Sequence, residues 1–310
     1  MAASPSVEPL ASNTYGPVGR SAWLDIDWRA HQRFLRVDGR AVNVIELGEG
    51  PPLLFVHGLG GCWQNWLENL PELARDHRVI ALDLPGFGAS EMPAEDVSLS
   101  AYARTLDGVC AALGVNAAAV VGNSMGGFAA AELAIAYPPR VERLVLVSAA
   151  GLQIAELHLD RVLAGLAKTR LDLVAGFYGR WVASHAETVA RRTRLRRLMF
   201  AGIARHPEAV PWPLVAEQAR GFGRPAFMPA LRAMTNYPLR HRLPEIACPT
   251  LVVWGANDRL VPVRDADAFA RMIPDARKLV YPDTGHVPML ERPARFNSDL
   301  RAFLEEPPAV

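Results

Sequence analysis

From Gln32 onward, short apolar or β-rich runs alternate with longer segments of helical spacing. Residues 33–37 and 41–47 flank Asp38-Gly39. A short Asp-Gly turn between β-rich runs is a strong hairpin signal, because its positions must accept positive φ. Residues 53–56, 79–82, 118–121, 144–147 and 251–254 are continuously apolar rather than alternating, as strands covered on both faces are. Residues 278–281 are less apolar and are expected nearer an edge. Helical patterns over residues 63–74, 99–113, 125–137, 263–272 and 293–304 separate these runs. Ser98 or Ser100 offers an N-cap for the second helix, and Pro138-Pro139 stops the third. Strands alternating with helices predict an α/β fold: a mostly parallel, doubly wound sheet, with the hairpin antiparallel at one edge.

The alternation stops between Gly151 and Ile246, where helices broken by Pro and Gly are expected and no strand is. Residues 151–246 are therefore predicted to be a helical insertion into a core formed by residues 20–150 and 247–310. Residues 1–19 are expected to be a flexible leader; they lack the basic start and apolar run of a secretory signal. Residues 117–137 are about as long as a membrane span. Gly122-Asn123-Ser124, Gly126-Gly127 and Glu132 interrupt them, so a buried strand, a tight turn and a buried helix are expected and no membrane span. Residues 187–204 contain Arg191, Arg192, Arg194, Arg196 and Arg197, whose default is a solvated helix face.

Composition narrows the function classes. Half of the 310 residues are apolar and 21% are charged, enough to offset ordering entropy, which excludes a disordered chain. At this size roughly 75% of the unfolded chain's surface can be buried. Against 32 acidic residues stand 33 basic ones, a net charge of +1, so no sustained basic face for nucleic acid is expected. Lys168 and Lys278 are the only lysines, and the arginine bias reads as base composition before it reads as a recognition surface. The 3 cysteines, Cys62, Cys110 and Cys248, form neither a metal-spaced pair nor a disulfide framework. Reduced, mostly buried thiols in a cytoplasmic protein are expected.

The most specific feature is Gly122-Asn123-Ser124-Met125-Gly126-Gly127, a G-x-S-x-G pattern directly after a buried strand and directly before a helix. A serine on so tight a turn is held at strained φ/ψ with its hydroxyl above the sheet, and only small neighbours fit. The helix N-terminus behind it favours developing negative charge. A serine hydroxyl needs a base. Of the 8 histidines, His286 in Asp283-Thr284-Gly285-His286, after the last strand, has the best context. The base in turn needs an orienting carboxylate. Asp258 in Gly255-Ala256-Asn257-Asp258 follows the strand ending at Trp254, and the order Ser124, Asp258, His286 suits this strand arrangement. Asp283 is expected to shape the loop of His286 instead. His57-Gly58-Leu59-Gly60-Gly61 follows the strand over residues 53–56. The backbone N–H groups of Leu59 and Met125 are the expected oxyanion donors, with Gly60 as substitute for Leu59, and such a donor is worth ~3 kcal/mol in the transition state. His57 is expected to brace this loop.

These elements, with Asp83-Leu84-Pro85-Gly86-Phe87-Gly88-Ala89-Ser90, resemble the α/β-hydrolase fold superfamily over residues 32–305. The resemblance implies a capped serine hydrolase without metal or organic cofactor. Ser124 at the elbow separates it from haloalkane dehalogenases and epoxide hydrolases, which use Asp there. The expected activity is hydrolysis of carboxylic esters of small to medium, largely apolar compounds through an acyl-enzyme, the partner being a small-molecule ester or other carbonyl substrate. Leu163, Leu166, Phe177, Tyr178, Trp181, Phe200, Trp212, Phe222, Phe227 and Met228 make the cap apolar, and Gly60, Trp63 and Val287 are candidates for touching substrate. The elbow also looks like that of meta-cleavage-product hydrolases, which cleave C–C bonds. Val287 stands where that group usually has Trp, and the oxyanion loop lacks its Gly-Pro-Gly character. Lactonase and cofactor-free perhydrolase activities, or a slow ligand receptor on the same fold, would keep the same residues.

Overall fold

A computed structural model describes residues 14–152, 171–235 and 237–307. Its centre is an 8-stranded sheet ordered β1-β2-β4-β3-β5-β6-β7-β8. The strands are β1 (Gln32–Val37), β2 (Arg40–Leu47), β3 (Pro52–Val56), β4 (Arg78–Leu82), β5 (Ala118–Asn123), β6 (Val141–Val147), β7 (Thr250–Gly255) and β8 (Ala276–Tyr281). β1 pairs antiparallel with β2, and β2 with β4; every other pairing is parallel. The expected hairpin is thus the antiparallel edge, and the less apolar β8 is the opposite edge. Asp38 at φ 49 and Gly39 at φ 74 make its turn.

The continuously apolar runs are explained by burial on both faces. Leu54, Val56, Ile80 and Leu82 enter one apolar cluster, while Leu53, Phe55, Val79 and Ala81, alternating with them, enter the other. Each fully buried Leu or Phe contributes about 1.5–3 kcal/mol. In chain order the helices are α1 (Leu70–Leu73), α2 (Leu99–Ala112), α3 (Met125–Ala136), α4 (Leu171–Ser184), α5 (Ala186–Arg191), α6 (Thr193–Phe200), α7 (Trp212–Arg220), α8 (Phe227–Thr235), α9 (Leu239–Arg242), α10 (Arg264–Met272), α11 (Pro288–Glu291) and α12 (Pro293–Glu305). Residues of α2, α3 and α10 join the first cluster, and residues of α1 and α12 the second. Ser98 caps α2 by accepting from Ala101 N at 3.1 Å.

Three expectations change. The helix over residues 63–74 is a 3₁₀ turn, Trp63–Trp66, followed by α1. Pro71 lacks an N–H and suits only a first helical turn, so a new helix begins beside it. The helix over residues 187–204 breaks at Arg192, which is extended (φ −88, ψ 106), into α5 and α6. Its arginines are not all solvated. Arg196 is buried and donates to Ala190 O (3.2 Å) and Glu208 O (3.0 Å), while Arg191 lies over the Trp212 ring at 3.8 Å. The third change is at the N-terminal end, where Tyr15 and Gly16 of the expected leader are bonded to Glu291. Residues 1–13 of that leader lie outside the described residues, as do Leu163 and Leu166.

Between β6 and β7 the described residues form helices and no strand. No described helix is long and apolar enough to cross a membrane. The thiols of Cys62, Cys110 and Cys248 are free, and burial pushes Cys110 and Cys248 up to about 11.

Candidate active site

β3, β5, β7 and β8 run parallel, so the loops at their C-terminal ends meet along one edge of the sheet. That edge is where open α/β sheets bind ligands. The loop after β5 is the elbow. Ser124 sits at φ 55 and ψ −118, a region that costs a non-glycine residue of order 1–3 kcal/mol. Three bonds hold it there. Ser124 N donates to Val147 O at 2.9 Å, and Ser124 O accepts from Phe128 N and Ala150 N, both at 3.1 Å. The glycines are sterically required. A Cβ on Gly126 would run into the carbonyl oxygens of Val56 and His57, and one on Gly122 into the backbone of Gly126.

Asp258 and His286 follow β7 and β8. His286 Nδ1 lies 2.8 Å from Asp258 Oδ2, and both side chains are buried, 6% and 0% exposed. The other oxygen, Asp258 Oδ1, accepts from Leu260 N (2.8 Å) and Val261 N (3.0 Å), so the carboxylate cannot rotate without losing two bonds. Asn123 Nδ2, next to the elbow serine, donates to Val147 O (3.0 Å) and to His286 O (3.4 Å), tying the elbow to the histidine loop.

The loop after β3 is braced by His57. Leu84 N donates to His57 Nε2 at 2.9 Å, so the ring hydrogen lies on Nδ1, which donates to Gly58 O at 2.8 Å. Full burial pushes the imidazole pKa down and keeps it neutral. Leu59 and Gly60 border the cavity beside Ser124. Met125 opens α3, whose first N–H groups have no partner within the helix. Among the described residues no group of three or more His, Cys, Asp or Glu could hold a metal ion.

Ser124 and His286 line one cavity of about 1290 Å³. The inserted helices supply Tyr178, Phe200, Phe222, Phe227 and Met228 to its wall, and Val287 also borders it. Trp63 does not border it. Its ring packs on Trp28 (centroids 5.0 Å apart) and its backbone N–H donates to Asp83 Oδ1 at 2.8 Å, so the backbone turns it into the core. Phe177 and Trp181 are exposed, 67% and 42%, and Trp212 pairs with Arg191 instead.

Sequence reasoning left several residues of this edge unassigned. Asp83 binds Trp63 N, Ala89 N and Asn43 Nδ2, each at 2.8 Å, and so joins the loops after β3 and β4. Asn65, an exact neighbour of the oxyanion loop in space, donates to Gln218 Oε1 of α7 and borders the cavity with it. The Asp-Leu-Pro-Gly-Phe-Gly run was the only signal for Asp83; Asn65 and Gln218 had none, because each is defined by the other.

The fold and this edge place the molecule among the α/β hydrolases, and sequence comparison agrees. Residues 51–293 match the family of the alpha/beta hydrolase fold, so the chain belongs to that family. It is 33% identical over 286 residues to the 2-hydroxymuconate semialdehyde hydrolase of Pseudomonas sp. (strain CF600), covering 88% of this chain and 93% of the relative. It is 31% identical over 274 residues to the dihydrolipoyllysine-residue acetyltransferase component of the acetoin cleaving system of Pseudomonas putida, covering 87% of this chain and 68% of the relative. Among solved structures, a bacterial membrane phospholipase A is similar at TM-score 0.68 and 28% identity, over 88% of this chain and 85% of that one.

Proposed function

We propose that the protein is a serine hydrolase of carboxylic esters with a largely apolar acyl part, and that residues 151–246 act as its cap. The observation that carries this reading is the strained Ser124 facing the same apolar cavity as His286, whose Nδ1 is bonded to buried Asp258. His286 Nε2 takes the Ser124 proton as Oγ attacks the ester carbonyl. The Leu59 and Met125 N–H groups hold the oxyanion. His286 then protonates the departing alcohol, and water deprotonated by the same imidazole releases the acid. No step needs a cofactor.

Charge within the cavity supports a neutral reacting end. Its buried or half-buried polar side chains, apart from Ser124 and His286, are the neutral amides Asn65, Asn123 and Gln218. Its arginines, Arg180, Arg224 and Arg232, are exposed. An apolar acyl group near Ser124, with any anionic end directed outward, suits that arrangement. The likeness to 2-hydroxymuconate semialdehyde hydrolase favours a second reading, C–C bond hydrolysis.

The test is a panel of p-nitrophenyl esters of increasing acyl length, run beside a vinylogous 1,5-diketone acid whose visible absorbance reports C–C cleavage. Multiple turnover on the esters that is abolished in Ser124→Ala supports ester hydrolysis. Turnover of the diketone acid alone selects C–C hydrolysis, and undiminished ester turnover by Ser124→Ala refutes the serine mechanism.

A further inference from the structure

Behind His286 lies a buried carboxylate that the hydrolytic mechanism does not use. Pro288 starts the short helix α11, which returns the chain so that Glu291 lies against residues 285–287. Glu291 is 0% exposed, yet it has no ion-pair partner among the described residues. Backbone and hydroxyl donors surround it instead. Gly285 N donates to both carboxylate oxygens at 2.9 Å, and Val287 N donates to Oε1 at 3.3 Å. The residues on either side of His286 are therefore both held by one side chain.

The remaining donors come from elsewhere in the chain. Arg205 N donates to Oε2 at 2.9 Å, and Tyr15 OH donates to the same oxygen at 2.7 Å. Tyr15 OH in turn accepts from His206 N at 2.9 Å, and Gly16 N donates to Glu291 O at 2.7 Å. His286 N donates to Ile203 O at 2.8 Å. Burial and the adjacent carboxylate push the Tyr15 phenol up, so it remains a donor. Three distant pieces of chain thus converge on one carboxylate: the histidine loop, residues 203–206 of the insertion, and the segment at Tyr15.

We propose that Glu291 is a positioning residue that makes these three pieces one unit, so that the reach of His286 toward Ser124 depends on the seating of the insertion and of Tyr15. The physical reason is saturation. A carboxylate accepts at about four sites and donates at none, and here every site faces a donor. Glutamine at this position would bring two N–H groups against the N–H and O–H groups already there. Buried donors left without acceptors are costly, and the loop can relieve that only by moving. The insertion is consequently pinned at residues 203–206, beside the base. The exposed residues bordering the cavity, Tyr178 and Arg180 of the insertion and Leu260 of the loop after β7, mark the side left for substrate to enter.

This inference rests on His286 being the base, which the controls test separately. Steady-state kinetics on p-nitrophenyl butyrate would be measured for wild type, Glu291→Gln, Tyr15→Phe and His286→Ala, with rates normalised to active sites titrated by a p-nitrophenyl phosphonate. The low-field proton resonance of the His286–Asp258 hydrogen bond would be recorded in parallel. A displaced base costs up to about 100-fold in rate. The expected result is kcat lowered about 100-fold in Glu291→Gln and several-fold in Tyr15→Phe, KM changed by less than about threefold, and the resonance weakened in both. Wild-type kcat per titrated site with an intact resonance, whatever the loss in melting temperature, overturns the proposal. Should Glu291→Gln fail to fold, Tyr15→Phe decides alone by the same criteria. His286→Ala with wild-type activity would instead refute the assignment of the base.

Discussion

Asp258→Asn isolates the role of one oxygen atom. Asp258 Oδ1 accepts two backbone N–H groups, from Leu260 and Val261, and Oδ2 faces His286 Nδ1 at 2.8 Å in a side chain that is 0% exposed. An asparagine has one acceptor oxygen. If that oxygen keeps the two N–H bonds, the amide NH₂ faces Nδ1 and donates to it. If the amide flips, both N–H donors face an NH₂ and lose their acceptor, at a cost of about 1 kcal/mol each. The first arrangement is favoured, and it moves the imidazole hydrogen to Nε2, the atom that must accept the Ser124 proton. A wrong tautomer of this kind costs about 10⁴ in kcat, or about 5.4 kcal/mol. Volume is conserved, so the melting temperature should change little. The assay is kcat and KM on p-nitrophenyl butyrate, with folded protein quantified by circular dichroism. A variant within tenfold of wild-type kcat, or one whose loss lies wholly in KM, refutes the reasoning.

Gly126→Ala places a Cβ against the carbonyl oxygens of Val56 and His57, and such overpacking costs about 1–3 kcal/mol. A lower melting temperature together with lost activity is expected, because the elbow and the Met125 N–H must shift; wild-type values for both would contradict the close approach. His57 is buried with its pKa pushed down by desolvation. The unfolded state then binds the extra proton, so this contribution to stability is complete above the unfolded value of about 6.5 and is lost as pH falls below it. Melting temperatures between pH 8 and pH 5 should therefore decline in wild type, and less steeply in His57→Gln.

Ser124 was legible in the sequence because its requirements are local: a buried strand before it, a helix after it, and glycines at fixed offsets. Those offsets correspond in the structure to the contacts of Gly122 with Gly126 and of Gly126 with Val56. Asp258 and His286 were legible for a related reason. Each stands just after a strand, and parallel order alone carries their loops to one edge, where the side chains meet at 2.8 Å. The alternation of strands and helices, the hairpin at one edge and the helical insertion likewise follow from periodicity, which is a property of neighbouring residues, whereas the strand order β2-β4-β3-β5 does not.

Partners far apart in the chain were decided only by the tertiary structure. Trp63 lies next to the oxyanion loop in sequence, yet its packing on Trp28 turns it into the core. Arg196 looks like one of five solvated arginines until Ala190 O and Glu208 O claim it. Tyr15 belongs to a stretch without any pattern, and its partner Glu291 stands 276 positions away. Hydrophobic period and turn chemistry reveal where the backbone must bend or be covered. They carry no record of which buried polar atom will meet which, because that pairing exists only once the layers have closed.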